Sequence, residues 1–91
     1  MTKVFRKPGA PWTELDGLVV MMSVSRSRCF EANRLGSEIW MMLEYPRTVS
    51  DIVQHLVARY KVEPARCEQD VSAFLQELVA SDMIGMESDH S

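Results

Sequence analysis

The segment FEANRLGSEIWMMLEYPRTVSDIVQHL, residues Phe30 to Leu56, decides the fold of this chain. It runs from a short apolar stretch into one amphipathic helix, then through a proline turn into a second. Asn33 is a suitable N-cap for the first helix, and Pro46 ends it. Thr48 and Asp51 stand three residues apart, as in a capping box, and begin the second helix. Both helices show apolar residues at helical spacing: Leu35, Ile39, Met42 and Leu43 in the first, and Val49, Ile52, Val53, Leu56, Val57 and Tyr60 in the second.

Upstream of this segment the pattern changes to short strands. Asp16-Gly17 separates two apolar stretches, and this dipeptide favours a type I′ turn because both central residues need positive φ. We therefore predict an antiparallel hairpin of residues 12–15 and 18–24. Residues 29–32, Cys-Phe-Glu-Ala, are typical of a short third strand that ends at Asn33.

Downstream, Pro64 is placed to begin a third helix. Its apolar stripe consists of Cys67, Val71, Phe74, Leu75 and Leu78, and residues 83–86 are compatible with a terminal strand. Three short strands followed by three helices predict an α+β fold, in which helices cover one face of a three-stranded antiparallel sheet. This is also the content of a winged helix-turn-helix. We expect a loosely held N-terminal arm over residues 1–11, one domain over 12–86 and a tail over 87–91.

Composition limits the possible locations and classes. The chain has 91 residues, of which 46% are hydrophobic and 25% charged, as in ordinary globular domains. The N-terminus lacks the apolar segment of a secretory signal, and no apolar run approaches the ~18 residues of a membrane span. We therefore expect a cytoplasmic protein without membrane contact, whose two cysteines are reduced.

Candidate catalytic and metal-binding groups are few. His55 lies in a predicted helix and His90 in the tail, and neither has metal ligands at a suitable spacing. A cysteine nucleophile needs a base within reach, and neither Cys29 nor Cys67 has one in its local sequence. Cys67 also belongs to an apolar stripe, where cysteine usually acts as a small hydrophobic residue. We predict no catalytic residues, no metal and no cofactor, although a thiol enzyme using both cysteines remains a rival hypothesis.

The charge pattern argues against nucleic acid as a partner. Residues 1–34 carry six basic and three acidic side chains, whereas residues 35–91 carry four basic and ten acidic ones. The third helix would be the recognition helix of a winged fold. This helix and Glu63, the residue before it, carry one basic side chain, Arg66, and four acidic ones, Glu63, Glu68, Asp70 and Glu77. A polyanion would be repelled by this helix. A small DNA-binding regulator is therefore kept only as an alternative.

The strand before Asn33 has a different use if it lies at a sheet edge. Its unpaired backbone N–H and C=O groups could then be satisfied by an extended peptide that adds as a further strand. In the third helix, Val71 and Phe74 would offer an apolar pocket, and Asp70 and Glu77 would attract basic residues of the peptide. The sequence thus predicts a protein that holds another chain.

Several motifs in order resemble the PqqD-like family of leader-peptide recognition proteins, which act in the synthesis of ribosomally made peptide natural products. They are Asn33, Gly36 and Ile39-Trp40; Arg47-Thr48-Val49 and Ile52-Val53; Tyr60; and Asp70-Val71, Phe74-Leu75, Leu78 and Met83-Ile84. The similarity spans about residues 18–85. The GSEIW and FLQEL pieces are closer to the lasso-peptide branch than to the pyrroloquinoline quinone branch.

The resemblance implies a winged helix-turn-helix-like fold that binds the leader segment of a precursor peptide by strand addition, without catalysis. By position, it assigns peptide binding to the strand residues Arg28, Cys29, Phe30 and Glu31 and to the helix residues Cys67, Asp70, Val71, Phe74 and Glu77. For the lasso branch it implies a leader peptidase and a cyclase as partners. For the quinone branch it implies a peptide chaperone for a radical SAM enzyme. The peptide product, the docking enzyme and the oligomeric state are not determined by the sequence.

Two positions depart from the family pattern. Ala32 stands where a larger apolar residue is usual before Asn33, which would widen the groove. Asp82 stands where glycine usually follows the third helix, and a non-glycine residue adopts the left-handed region at some cost. The geometry of that turn is therefore left open by the sequence.

Overall fold

The computed structural model describes residues 2–88 of the chain. Within them the chain forms two small sheets and three helices, in an α+β arrangement. The elements are β1 (Thr2–Arg6), β2 (Trp12–Leu15), β3 (Leu18–Ser23), β4 (Arg28–Glu31), α1 (Arg34–Met42), α2 (Val49–Arg59), α3 (Pro64–Ala80) and β5 (Ile84–Ser88). The predicted three-stranded sheet and three helices are confirmed, and a two-stranded sheet of β1 and β5 is added to them.

The three-stranded sheet is antiparallel in the order β2-β3-β4. Asp16 and Gly17, between β2 and β3, have φ values of 54° and 82°. Both are positive, as the predicted hairpin turn requires. Because β3 is central, β2 and β4 are the two edges of this sheet.

The cross-strand register divides the side chains of this sheet between two faces, since directly opposed residues point the same way. Trp12, Met21 and Phe30 are opposed in one row and face the helices, where Met21 is buried. We call the opposite side the outer face. It carries Thr13 and Leu15 from β2, Leu18, Val20 and Met22 from β3, and Cys29 and Glu31 from β4.

The helix starts follow the sequence signals. The Asn33 side-chain oxygen accepts a hydrogen bond from the Gly36 N–H at 2.8 Å, which caps α1. Thr48 and Asp51 form the reciprocal capping box of α2, with bonds of 3.0 and 3.2 Å. Pro64 is the first residue of α3, where its missing N–H costs no helical hydrogen bond.

One core joins the helices to the sheet. Its largest fully buried side chains are Trp40, Met21, Leu43, Ile52, Leu56, Leu78, Met83 and Ile84. Two buried hydroxyl groups fix the sheet to its helices. Ser37 Oγ of α1 accepts the Val19 N–H at 2.8 Å, and Ser23 Oγ of β3 donates to the Ser81 carbonyl, at the C-terminal end of α3, at 2.6 Å. These bonds join the first part of β3 to α1 and the last residue of β3 to the C-terminal end of α3.

Strand β1 corrects the prediction of a loosely held arm over residues 1–11. Residues 2–6 pair antiparallel with β5, and Val4 is buried. Val4 and Arg47 also exchange two backbone hydrogen bonds, of 2.7 and 2.9 Å. The guanidinium of Arg6 lies 5.1 Å from the ring centre of Trp12 and 5.5 Å from that of Trp40. Long-range pairing and cation–π contacts thus order a segment whose local sequence gives little strand signal.

The C-terminal end differs from the prediction in a similar way. β5 extends to Ser88, so it includes the first two residues of the predicted tail. The remainder of that tail, with His90, lies outside the described residues, as does Met1. The turn before β5 keeps the left-handed conformation despite the absence of glycine, since Asp82 has a φ of 61°. Its carboxylate forms an ion pair with the Lys7 ammonium.

Candidate functional site

The outer edge of β4 presents unpaired backbone groups. The Ala32 N–H donates to the Val19 carbonyl at 2.9 Å, on the inner side of the strand. Hydrogen-bonding direction alternates along an antiparallel strand, so Phe30 is turned toward β3 as Ala32 is. The backbone groups of Cys29 and Glu31 point outward instead. Among residues 2–88, no other strand pairs with this edge, which we call the β4 edge.

A second hydrogen bond supports this assignment. The Met22 N–H donates to the Pro11 carbonyl at 2.9 Å, on the β2 side of the sheet. Its neighbour Met21 must therefore direct its backbone groups toward β4, where Phe30 is its partner in register. Hydrogen bonds on both sides of β3 thus indicate that the backbone groups of Phe30 point toward β3.

The side chains of β4 are divided between two environments. Phe30 is partly buried on the helix-facing side, and the Arg28 guanidinium lies 5.1 Å from its ring centre. Cys29 and Glu31 are exposed on the outer face. The four strand residues predicted from the sequence therefore have two roles. Arg28 and Phe30 direct their side chains toward the helices, whereas Cys29 and Glu31 direct their backbone groups toward the open edge of the sheet.

A cavity of about 620 Å³ lies between the start of α1, the α2–α3 connection and α3. We call it the α3 cavity. Its apolar lining is Leu35, Gly36, Ile39, Leu56, Val62, Val71, Ala73 and Phe74; Asn33, Lys61, Glu63, Arg66, Cys67 and Asp70 complete it. This composition of an apolar lining with a few charges is typical of a binding site.

Gly36 joins the α3 cavity to the end of β4. A Cβ atom at this position would lie 3.2 Å from Phe74 Cζ and 3.2 Å from the Ala32 Cβ. Both distances are tighter than ordinary van der Waals contact. The absence of a side chain on Gly36 therefore lets the Phe74 ring approach the residue that follows β4. The ring forms part of the cavity and lies beside the sheet at the same time.

The charges of the cavity are of both signs. Lys61 and Arg66 oppose Glu63 and Asp70 around it, so a peptide would meet positive and negative groups. Burial raises the pKa of the Cys67 thiol, and the nearby Asp70 carboxylate raises it further. Cys67 is therefore held in the neutral thiol form, which is a poor nucleophile.

The structure brings some of the predicted site residues together and separates others. Cys67, Asp70, Val71 and Phe74 line one cavity, and Val71 is almost fully buried in the core. Glu77 is exposed on α3 and does not line the cavity. Cys29 is exposed and Cys67 buried, and neither is in a disulfide.

The opposite wall of the cavity was not predicted from the sequence. It comes from Leu35 and Ile39 of α1 and from Lys61 and Val62 in the α2–α3 connection. The available signal was Gly36, because a glycine inside a short helix often marks a close packing contact. Gly36 belongs to one of the family motifs, but the motif by itself does not indicate this packing contact.

Other sites considered from the sequence gain no support from the geometry. The described part of the chain contains no group of three or more His, Cys, Asp and Glu side chains that could hold a metal ion. His55 lies on the surface, where its ring nitrogen is 2.8 Å from the Glu38 carboxylate, and Arg59 is 3.0 Å from the same carboxylate. In residues 2–88, no helix combines the length and the apolar character needed to cross a membrane.

Comparisons with known proteins give a family and a fold. The family model described as coenzyme PQQ synthesis protein D (PqqD) matches residues 19–84. No curated protein shows significant sequence similarity to the chain. The structure is similar to that of TbiB1 in complex with the TbiA(beta) leader peptide, with a TM-score of 0.80 and 25% identity over 93% of this chain and 99% of that one.

A second solved structure, a lasso peptide synthetase B1 complexed with the leader peptide, has the same fold. Its TM-score is 0.76 at 21% identity, and the match covers 90% of this chain and 96% of the other. The family model spans more than half of the chain, including the central and edge strands β3 and β4 and all three helices. The chain therefore belongs to the PqqD family.

Proposed function

We propose that this protein binds the leader segment of a ribosomally made precursor peptide and presents it to modifying enzymes. The observation that carries the proposal is the β4 edge, with outward backbone groups at Cys29 and Glu31, next to the α3 cavity. TbiB1, which shares 25% identity and the fold, is known in complex with a leader peptide. A partner of the same kind fits the edge and the cavity found here.

The backbone of the peptide would add to the three-stranded sheet as a fourth strand. The N–H and C=O groups of Cys29 and Glu31 would exchange hydrogen bonds with it, at spacings of two residues. These bonds do not depend on the peptide's side chains, so they supply affinity rather than specificity. The side-chain roles of Cys29 and Glu31 are then minor, because both side chains lie on the outer face.

Specificity would come from the α3 cavity. Alternate side chains of an added strand point toward α3, where the partly exposed Phe74 ring would provide apolar contact and Val71 forms a buried part of the cavity lining. Phe30 and Arg28 extend this surface along the strand. Asp70 is exposed at the cavity and would pair there with a basic leader residue, while Glu77 lies outside the cavity lining and would contribute a weaker, screened attraction.

The proposed role is binding without catalysis. Cys67, the cysteine in the cavity, is kept protonated by burial and by Asp70. Its thiol is thus unsuited to attack a substrate. We propose that chemistry on the peptide is performed by separate cytoplasmic enzymes, a leader peptidase and a cyclase if the protein serves lasso-peptide synthesis.

The family match also supports a second candidate, a peptide chaperone for a radical SAM enzyme, as in the quinone branch. Both candidates use the same groove and differ in the peptide that enters it. The first is favoured because the structural relatives named above are B1 proteins complexed with leader peptides.

The test is a titration of fluorescently labelled leader peptide into the purified protein, followed by anisotropy. We expect saturable 1:1 binding of the cognate leader and none of a scrambled leader with the same composition. A duplex DNA of random sequence serves as the probe for the regulator hypothesis, with the salt concentration varied. Salt-sensitive binding of the DNA together with no binding of the leader would contradict the proposal.

A further inference from the structure

Strand β5 has one side with which no strand pairs among residues 2–88. Its partner β1 fixes the direction of its backbone groups. Val4 of β1 exchanges two backbone hydrogen bonds with Arg47, so its N–H and C=O point away from β5. Met86 is the register partner of Val4, and opposed residues of an antiparallel pair exchange both hydrogen bonds or neither. The backbone groups of Met86 therefore point to the open side, which we call the β5 edge.

A hydrogen bond at the start of the strand supports this direction. The Lys7 N–H donates to the Met83 carbonyl at 3.1 Å, so Met83 faces β1. Because the direction alternates along the strand, Gly85 and Glu87 also face β1, and Met86 between them faces the β5 edge. An extended segment can add at this side by backbone pairing.

The side chains at the β5 edge are apolar. Met86 is 61% exposed, and Val79 of α3 is 38% exposed. Both line a cavity between α3 and the β1–β5 sheet, and the described part of the chain contributes no charged residue to its lining. Proteins usually protect an open strand with lysine, proline or a covering element, and β5, Ile-Gly-Met-Glu-Ser, contains neither residue. An exposed apolar surface at an unprotected edge marks a contact with another chain.

The charges on β5 fit a second copy of the same strand. If two β5 strands pair antiparallel about a twofold axis between their Met86 residues, Gly85 of each copy opposes Glu87 of the other. The two Glu87 carboxylates then do not face each other, and Lys3 is the cross-strand neighbour of Glu87 within its own chain. Phe5 packs against Gly85 on this face, since a Cβ at Gly85 would lie 2.7 Å from its ring. Each of the two rows across the face thus carries one positive and one negative charge.

The opposite face of the same sheet is apolar at the axis. Val4 is buried beneath the sheet and opposes Met86. Pairing of two copies continues this row as Val4, Met86, Met86 and Val4, so the two exposed methionine side chains cover each other. An interface between identical surfaces requires such self-complementarity. A segment with a charge at the central position would instead bury that charge without a partner.

We propose that two copies of this chain pair through their β5 edges and form a four-stranded antiparallel sheet in the order β1-β5-β5-β1. The inference does not rest on the proposed function, because the β5 edge shares no residue with the β4 edge or the α3 cavity. The contact is small, since it consists of a five-residue strand and few exposed apolar side chains in each copy. A standard stable interface takes about 800 Å² from each partner. The dimer is therefore weak and dissociates on dilution.

The experiment is sedimentation of the purified protein over concentrations from roughly 1 μM to 1 mM, the range in which a weak dimer forms. Met86→Lys places two ammonium groups opposite each other at the axis and should raise the dissociation constant of the dimer about tenfold or more. Met22→Lys is the matched control, because Met22 is also an exposed strand methionine, at 43%, but lies on β3. This control should dimerise as the wild type does. Leader affinity of Met86→Lys, measured by anisotropy, should be unchanged.

Cross-linking tests the register of the two strands. In a Cys29→Ser background, Met86→Cys should form an intermolecular disulfide on mild oxidation, because directly opposed Cα atoms lie about 5.5 Å apart, within disulfide range. Glu87→Cys should not form one, since it faces Gly85 of the other copy. A disulfide-linked dimer of the first variant alone in non-reducing gel electrophoresis is the expected result.

A wild-type protein that stays monomeric at the highest concentration would overturn the inference, whether or not another protein binds at β5. So would a dimer that persists unweakened in Met86→Lys. A dimer that Met22→Lys dissociates would place the contact on the outer face and would also overturn it. Cross-linking of Glu87→Cys without cross-linking of Met86→Cys would contradict an axis at Met86. These results leave the proposed function intact, because leader binding is measured separately.

Discussion

Helix α3 has two flanks, and each borders a small antiparallel sheet and a cavity. On one flank the α3 cavity, about 620 Å³, adjoins the end of β4. On the other flank a cavity of about 410 Å³ lies beneath the β1–β5 sheet, and we call it the β5 cavity. Its lining consists of Thr2, Val4, Val49, Ser72, Leu75, Gln76, Val79, Ala80 and Met86. Both cavities have a largely apolar lining, but they differ in their charged groups.

No charged residue appears in the lining of the β5 cavity, whereas the α3 cavity has Lys61, Glu63, Arg66 and Asp70. Charged and polar groups fix the orientation of a ligand in a site that is otherwise apolar. The comparison therefore favours the α3 cavity as the recognition site that we propose. Changes to the two flanks should separate binding from stability.

The largest expected effect comes from the aromatic ring of the α3 cavity. Phe74→Ala removes its contact with the peptide and should weaken leader binding by about 1–3 kcal/mol. Val79→Ala on the other flank of the same helix should leave affinity unchanged. Binding isotherms and urea unfolding curves of both variants give the comparison. If Phe74→Ala lowers stability without lowering affinity, Phe74 is a core residue and not a binding residue.

A smaller effect is expected at the backbone of β4. Cys29→Pro removes an outward N–H and should cost roughly 0.5–1.5 kcal/mol of binding free energy, the net value of one hydrogen bond. Cys29→Ser keeps the N–H and should bind as the wild type does. Proline at Phe30 would instead break the pairing with Met21, so it should destabilise the sheet. Equal leader affinity of Cys29→Pro and Cys29→Ser in isothermal titration calorimetry would exclude pairing at this edge.

The smallest effect on binding is expected from a pair of glycine substitutions. Gly36→Ala places a Cβ 3.2 Å from the Phe74 ring, which must shift and reshape the α3 cavity, so affinity should fall a few-fold, roughly 0.5–1 kcal/mol. The gain in helix propensity offsets part of the crowding, so stability should change little.

Gly85→Ala is the counterpart on the β1–β5 sheet, since its Cβ would lie 2.7 Å from the Phe5 ring. This variant should lower the melting temperature and leave leader affinity unchanged. Loss of affinity in Gly85→Ala with an unchanged affinity in Gly36→Ala would reverse the assignment of the two flanks.

Local signals in the sequence predicted most of the fold. The Asp16-Gly17 turn and the caps at Asn33 and Thr48 depend on neighbouring residues, and each is confirmed. Strand β1 was missed because its partner β5 lies at the other end of the chain. A pairing between such distant segments leaves no periodic signal in a five-residue strand.

The candidate site was predicted only in part, because only some of its residues are related by spacing along the chain. Helical spacing placed Cys67, Val71 and Phe74 on one stripe of α3, and the family resemblance assigned Asp70 to the same site; all four line one cavity. The opposite wall is assembled from α1 and the α2–α3 connection by tertiary packing, which no spacing along the chain encodes. The direction of the β4 backbone groups likewise depends on register, and the sequence alone left Phe30 and Cys29 equivalent in this respect.

The most direct test of strand addition is amide hydrogen exchange of the protein with and without bound leader, resolved by residue. The N–H groups of Cys29 and Glu31 should exchange rapidly in the protein alone and become protected on binding, while the Phe30 N–H should be protected in both states. Protection that is unchanged at Cys29 and Glu31, or that appears at β5 instead, would contradict binding at the β4 edge.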